Sequence, residues 1–491
     1  MSASVSVAAT LPPDTRKAIG IQVLAQSEPV SHIAASHQVS RKFVYQQRDK
    51  AQQALDESFA PSPADTDVLF YLPVTNAWIF QLILGLVLIC HSSYRGVVEL
   101  LRDVFDWPIS LGTVANRVES AATIAAQINE TQDLSGIRVG LQDEIYQGSQ
   151  AVLAGVDATS TYCYLLTTAQ NRDEESWAWH LLEPIEQGFG PDYTIADGAK
   201  GLRAGQAIVL PEIPCHGDVF HIQQQFEKVV NSVSRQAKGA TTQRRTLEEK
   251  WLSAPLNSKR RRSLRAKLVY IQKQEYRLNR LSSDLKTLLS WMSHDVLQLA
   301  GPCLRIRQEL FDFIVAQLQT LQHEDHPAIR TLAKALVNQR NELLAFAGVL
   351  DDKLAAIAQR LKVSLQSVRA VCLLQRKSPH SDAYWQRWTQ LHTQLSHRFN
   401  GVMEAVIDAL NHTPRASSLV ENLNSRLRNY FFLRRQLGDH YLNLLQFFLN
   451  HRCFMRSEVS ERVGKSPTEL MTRKKHPHWL ELLGFTRFQR A

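Results

Sequence analysis

The sequence predicts a multidomain, mainly helical fold built around one small α/β region, with a helix-turn-helix at the N-terminus and a large all-helical insertion. The length of 491 residues exceeds one domain and corresponds to about three, at roughly 100–200 residues each. Apolar residues make up 44% and charged residues 21%, with only 21 Gly and 18 Pro, which excludes a disordered or collagen-like chain and leaves long stretches free for helix. Strand-type runs begin at about residue 136 and stop within the next hundred, while helical periodicity dominates elsewhere.

Composition narrows the function classes. Six cysteines (Cys90, Cys163, Cys215, Cys303, Cys372 and Cys453) stand without a C-x-x-C pair, so neither a zinc ribbon nor a disulfide framework is encoded, and a reducing cytosol is expected. The net charge of +9 and pI near 9.2 favour a polyanionic partner. MSASVSVAATLPPDTRK lacks the basic-then-apolar order of a signal peptide. The most apolar run, Trp78 to Cys90, is about 13 residues long and contains Gln81, against about 20 needed for a membrane span, so it reads as a buried helix and no membrane partner is expected.

Residues 20–50 read as VSHIAASHQ on one amphipathic helix, Val39 and Ser40 as turn and cap, and RKFVYQQRDKA on the next. This is helix-turn-helix spacing, in which the second helix enters the major groove. Arg41, Lys42, Tyr45, Gln46 and Arg48 would supply phosphate and base-edge contacts. Ile33, Ala34, Val39 and Val44 would form the small core, with Ala35 at the tight interhelical contact. A plain helical hairpin with a basic face has the same spacing, and no Gly marks the turn.

After the linker PSPADTD, SSYRGVVELLRDVF and LGTVANRVESAATIAAQI form a second helical region, either another helix-turn-helix or a packing module, since its second helix carries only Arg117 as a cation. IRVGLQDEIYQ, QAVLAGVDATS and TYCYLLTTAQ then read as a strand meander. A helix (DEESWAWHLLEPIEQG), the strand DYTIAD, a short helix and the apolar run EIPCHGDVF follow, for the order β-β-β-α-β-α-β.

From about 222 to 414 the pattern is helical. Between Lys228 and Arg280 fifteen cations, among them Arg244, Arg245, Arg260, Arg261, Arg262 and Arg265, face the three acids Glu248, Glu249 and Glu275, an excess that points to phosphate binding. Residues 354–376 repeat helix-turn-helix spacing with Ser364 as cap, as a DNA reader or a tight hairpin. Trp177 and Trp179 read as core, and Trp291 and Tyr384 as packing rather than base-stacking residues. The expected division is therefore 1–60, 61–132, 133–227, 228–414, 415–450 and a basic tail, 451–491.

No P-loop, G-x-S-x-G, H-E-x-x-H or dinucleotide fingerprint occurs. What remains is a set of carboxylates: Asp143 in the first strand, Asp197 at the end of the fourth, and Glu421 on a helix far downstream. That order of strands, helix and acids is the order of a ribonuclease-H-like nuclease core. Carboxylates suit Mg²⁺, a hard cation that prefers oxygen, and three of them suffice for a pair of ions, with Mn²⁺ able to substitute. Glu144, adjacent to Asp143 in a strand, points to the opposite face, so at most one of the two binds metal. Asp157 is a rival that a strand end more often uses as a cap, and Glu404 is a weaker alternative to Glu421. Lys200, Arg203, Arg426 and Arg428 would bind flanking phosphates.

LQDEIYQGSQAVLAGVDATSTYCYLL, TIADGAKGLRAG, CHGDVFHIQQQ, SSLVENLNSRLRNYFFLRR and KSPTELMTRKKHPHWLELLGF give most of residues 136–491 a pattern that resembles bacterial insertion-sequence transposases of the DDE type. The resemblance implies Asp143, Asp197 and Glu421 as catalytic and metal-binding triad, with the helical block between the last two as an insertion domain. Asp218 and His221 look like the D-x-x-H element of Mutator-like and hAT-like branches, which would help shape the site, with Glu144 in support. It further implies double-stranded DNA, both transposon ends and target, as partner, a dimer or higher oligomer on that DNA, and a bacterial cytoplasmic, nucleoid-associated location. A non-catalytic DNA-binding regulator derived from a transposase and a metal-dependent structure-specific nuclease share these residues and stand as the alternatives.

Overall fold

A computed structural model describes residues 11–59, 72–256, 258–321, 326–433 and 438–488, which fall into two units, Met1–Thr75 and Asn76–Ala491. In the first unit α1 (Pro13–Leu24), α2 (Val30–Ser36) and α3 (Arg41–Phe59) enclose Ile19, Val23, Ile33, Ala34 and Val44. The expected core is present with Val39 partly covered, and α1 adds Ile19 and Val23 to it. Ala35 is exposed. The close approach is made instead by Gly20, where a Cβ would lie 2.7 Å from the Gln47 carbonyl oxygen on α3. Ser40 caps α3 through the Phe43 N–H.

In the second unit, α4 (Asn76–Leu88), α5 (Tyr94–Phe105) and α6 (Leu111–Glu130) precede the sheet, and Ser93 and Ser110 cap the last two. Strands β1 (Val139–Gln147), β2 (Gln150–Asp157) and β3 (Cys163–Ala169) form the antiparallel meander. Then come α7 (Glu174–Glu186), β4 (Tyr193–Ala196), α8 (Lys200–Val209) and β5 (Cys215–Gly217). The sheet order is β3-β2-β1-β4-β5, with β4 parallel to β1 and β5 parallel to β4.

Alternation along β1 separates two cores. Leu141 and Ile145 join α4 to α6, α16 (Ser418–Phe432) and α17 (Asp439–His451) on one face. Residues 76–130 therefore share a core with the sheet instead of forming one of their own, and Arg117 lies over the Phe80 ring at 3.7 Å. On the other face, Leu153, Tyr164, Trp177, Phe189 and Leu202 pack with α7 and α8. Gly205 lets α8 lie against α7: a Cβ there would meet the Glu174 carbonyl oxygen and the Trp177 Cβ, each at 2.6 Å.

Among the described residues, every regular element of the insertion is a helix. Helices α9 (Val219–Leu252) and α10 (Lys259–Trp291) form a long hairpin that shares one core with α11 (Leu304–Leu321) and α12 (Pro327–Leu361). The other end of α12 packs with α13 (Leu365–Leu374), α14 (Asp382–Leu395) and α15 (Phe399–Asn411). The fully buried Arg307 binds the carbonyls of Val296, Gln298, Leu299 and Pro302, closing the turn after α10. Ser364 caps α13 as expected, but Arg369 and Arg376 are engaged inside the insertion, with Asp351 and Asp295 respectively. Short helices α18 (Pro467–Thr472) and α19 (Trp479–Leu482) close the chain, Trp479 entering the sheet core. No helix among the described residues is long and apolar enough to cross a membrane.

Candidate metal centre and nucleic-acid interface

Asp143 shares the face of Leu141 and Ile145 at the middle of β1, one residue past the end of its pairing with β4, and is 7% exposed. The β1–β4 register pairs Gln142 with Ala196, so the next positions across the two parallel strands are Asp143 and Asp197. Asp143 accepts hydrogen bonds from the Glu144 N–H and from Asn424 Nδ2, both at 2.8 Å. Asn424 is one turn after Glu421 on α16, so a single helix face brings both to the strand. Burial, then the carboxylates of Glu421 and Asp197, push the Asp143 carboxyl up to about 7, against the pull of the Glu144 N–H and His221.

His221 reaches this point from α9, one turn after Asp218. Ligand atoms of Asp143, His221 and Glu421 all lie within 4.8 Å of one another, a group that can hold a metal ion. His221 Nε2 is 3.5 Å from Asp218 and 3.8 Å from Glu421, and it is buried without a hydrogen-bond partner among the described residues. The resemblance cast His221 as a supporting residue, yet the geometry gives it a ligand position. Asp197 is outside this group; its Oδ1 accepts from the Ala199 N–H at 2.8 Å.

Asp218 is buried and committed to structure. It caps α9 through the Phe220 N–H and accepts a hydrogen bond from the Ser417 hydroxyl at the start of α16, while the Val219 N–H donates to the Arg415 carbonyl. It thus couples the helix carrying His221 to the helix carrying Glu421. The assignment of Glu144 to the site is corrected: it points to the opposite face, where it accepts from Trp177 Nε1 and the Tyr146 hydroxyl and lies 3.6 Å from Arg172. Asp157 is a cap, accepting from the Ser160 N–H and hydroxyl. His216 stacks on Tyr193, and its burial lowers its pKa to about 4.

The expected phosphate ligands divide. Arg203 is not available to DNA: it binds the carbonyls of Ala196, Asp197, Cys215 and His216 and pairs with Glu342 of α12 at 3.0 Å. This ties the ends of β4 and β5 to the insertion. Arg244 is held by Glu248 and Glu275, and Arg261 donates to the Ala254 carbonyl and covers the Trp251 ring. Lys200, Arg245, Arg260, Arg262, Arg265 and Arg428 are exposed, and Arg426 is half-buried. In the N-terminal unit Arg41, Lys42, Tyr45 and Gln46 are exposed on α3, whereas Arg48 pairs with Asp49 and lies over Tyr45. Trp177 is buried as expected, but Trp179 is 72% exposed.

Asn424 and Ser417 were not among the expected site residues. Asn424 had a signal in its i+3 spacing from Glu421, and Ser417 had none, because its partner is 199 residues away. Neither a protein-family model nor a curated protein matches the chain.

Proposed function

We propose that this chain is a DNA transposase of the DDE type, with a ribonuclease-H-like core that cuts and rejoins DNA and an N-terminal helix-turn-helix that binds the ends of a mobile element. The observation that carries the reading is the meeting of Asp143, at the register position beside Asp197, with Glu421, a residue 278 positions downstream that a separate helix delivers within metal-holding distance. The order β3-β2-β1-β4-β5 supports it, being the arrangement in which the meander's first strand and the first parallel strand hold the two acids side by side.

The donor set fits a divalent cation. Asp143 is buried among like charges, and the unpartnered His221 nitrogen faces two carboxylates, a combination that a cation relieves. Asp143 and Glu421, with Asp197 beside them, would hold Mg²⁺ or Mn²⁺, and the imidazole of His221 suits Mn²⁺ better than Mg²⁺. Bound there, such a cation supplies Lewis acidity toward a phosphodiester and lowers the pKa of an attacking oxygen. Asn424 and the Glu144 N–H fix the orientation of Asp143. The Asp218–Ser417 contact sets the spacing of His221 and Glu421, and the exposed Lys200 and Arg428 would bind flanking phosphates. The reaction is hydrolysis of one strand to a 3′-hydroxyl, then attack of that hydroxyl on a target phosphodiester, its own 3′-oxygen leaving.

The test is an excision and integration assay on the gene with its natural flanking DNA, wild type beside Asp143→Asn, Asp197→Asn and Glu421→Gln. Movement by wild type and its loss in each variant, with protein level and DNA binding retained, is the expected result. Binding without cutting by wild type would make the chain a regulator, cutting without joining would make it a nuclease, and an active Glu421→Gln would remove the third acid.

A further inference from the structure

We propose that a cavity on the far side of α16 from Glu421 holds one unpaired nucleotide of a DNA strand, with its phosphate against Arg426. The inference rests on the reading of the chain as a DNA-processing protein and adds a site to it. Leu419, Asn422, Leu423 and Arg426 recur at i, i+3, i+4 and i+7, so one stripe of α16 lines the cavity. Glu421 and Asn424 lie on the opposite stripe, toward Asp143.

The volume of about 620 Å³ lies within the roughly 300–1,000 Å³ of small-ligand pockets. Among the described residues Arg426 makes no hydrogen bond or ion pair, and burial pushes its guanidinium below the ordinary value. A desolvated cation without a counter-ion is costly, and an anion entering the cavity removes that cost. Arg456 and Arg462 also line it, Arg462 anchored on the Thr159 carbonyl, and the charge of Arg452 acts on the same His91 ring as that of Arg426. Glu458, exposed, is the one carboxylate in this lining among the described residues. Guanidinium forks match the paired oxygens of a phosphate.

The floor adds a nucleoside to that anion. Phe454, Leu449 and Val156 offer an apolar surface, with Asn422 and Thr161 as polar groups for base edges. The cavity and the carboxylates are separated by the width of α16, about 10–12 Å with its side chains, so an unpaired end a few nucleotides long is the probe suited to reach both.

The test uses the full chain in chelator, where nothing is cut, and reads fluorescence anisotropy of a blunt duplex and of the same duplex with three unpaired terminal nucleotides. Wild type should bind the unpaired end at least tenfold more tightly, and in Arg426→Gln and in Asn422→Trp, which fills the mouth from an exposed position, the ratio should fall to about one. Melting temperatures measured alongside verify that both variants fold. No preference in wild type, or a preference that survives both variants, overturns the proposal. So does tighter binding of free dAMP than of the unpaired end, which would make the cavity a site for a small metabolite. Because cleavage is not read, a protein that keeps the preference but never cuts DNA loses the transposase reading and retains the cavity.

Discussion

Replacing Asp143 by Asn should stabilise the metal-free protein at alkaline pH. Burial, and then the nearby carboxylates of Glu421 and Asp197, push the Asp143 carboxyl up from its ordinary 3.8 to about 7. The folded chain therefore keeps a proton that the unfolded chain releases between about pH 4 and pH 7, and stability falls as pH rises through that window. Roughly three pKa units at about 1.36 kcal/mol each set an upper limit of about 4 kcal/mol, and relaxation around the charge reduces this to about 1–3 kcal/mol. Asn keeps the neutral shape. Asn424 Oδ1 is buried without a partner among the described residues, so a flip of that amide lets it accept from the new Nδ2. In urea unfolding with chelator, wild type and Asp143→Asn should be equally stable near pH 4, and the variant should lead by about 1–3 kcal/mol at pH 8. Adding Mg²⁺ or Mn²⁺ should stabilise wild type and not the variant. A variant no more stable than wild type at pH 8, or a lead that does not shrink toward pH 4, would refute the reasoning.

Three further outcomes are expected. Glu421→Gln and His221→Ala should each weaken Mn²⁺ binding at least tenfold, about 1.4 kcal/mol, in a calorimetric or paramagnetic titration; unchanged affinity in both would dissolve the proposed centre. Ser417→Ala leaves the buried Asp218 carboxylate short of a donor and should cost about 1–3 kcal/mol in denaturant unfolding, with Mn²⁺ affinity falling as α9 and α16 lose their link. Arg260→Ala with Arg262→Ala should flatten the log–log salt dependence of DNA binding by about 2, at about 0.9 per phosphate, whereas Arg261→Ala adds little because its guanidinium is occupied.

Some of this was legible in the chain. Period-two alternation placed Asp143 and Glu144 on opposite faces before any contact was known, and the Trp177–Glu144 hydrogen bond is what that alternation entails. The strand and helix order from residue 139 to 217, the helical insertion and the caps Ser40 and Ser364 likewise follow from local pattern. Local pattern did not reveal α1 as part of the N-terminal core, because its apolar face is short, and Ala35 was chosen for a contact that Gly20 makes.

Charge proved the least legible property. Arg203, Arg244 and Arg261 look like phosphate ligands in sequence, yet each is engaged by carbonyls, carboxylates or an indole contributed by other turns and elements. Sequence by itself determined which residues stood on which face along β1 and which helices were capped, because dihedral periodicity and capping are local, although it misplaced Trp179 and Ala35. Only the tertiary structure decided that Glu421, Asn424 and His221 converge on Asp143, that Ser417 locks Asp218, and that Arg426 is left without a partner among the described residues beside a cavity. Those outcomes depend on how residues hundreds of positions apart pack, and no short-range rule of propensity or spacing contains that information.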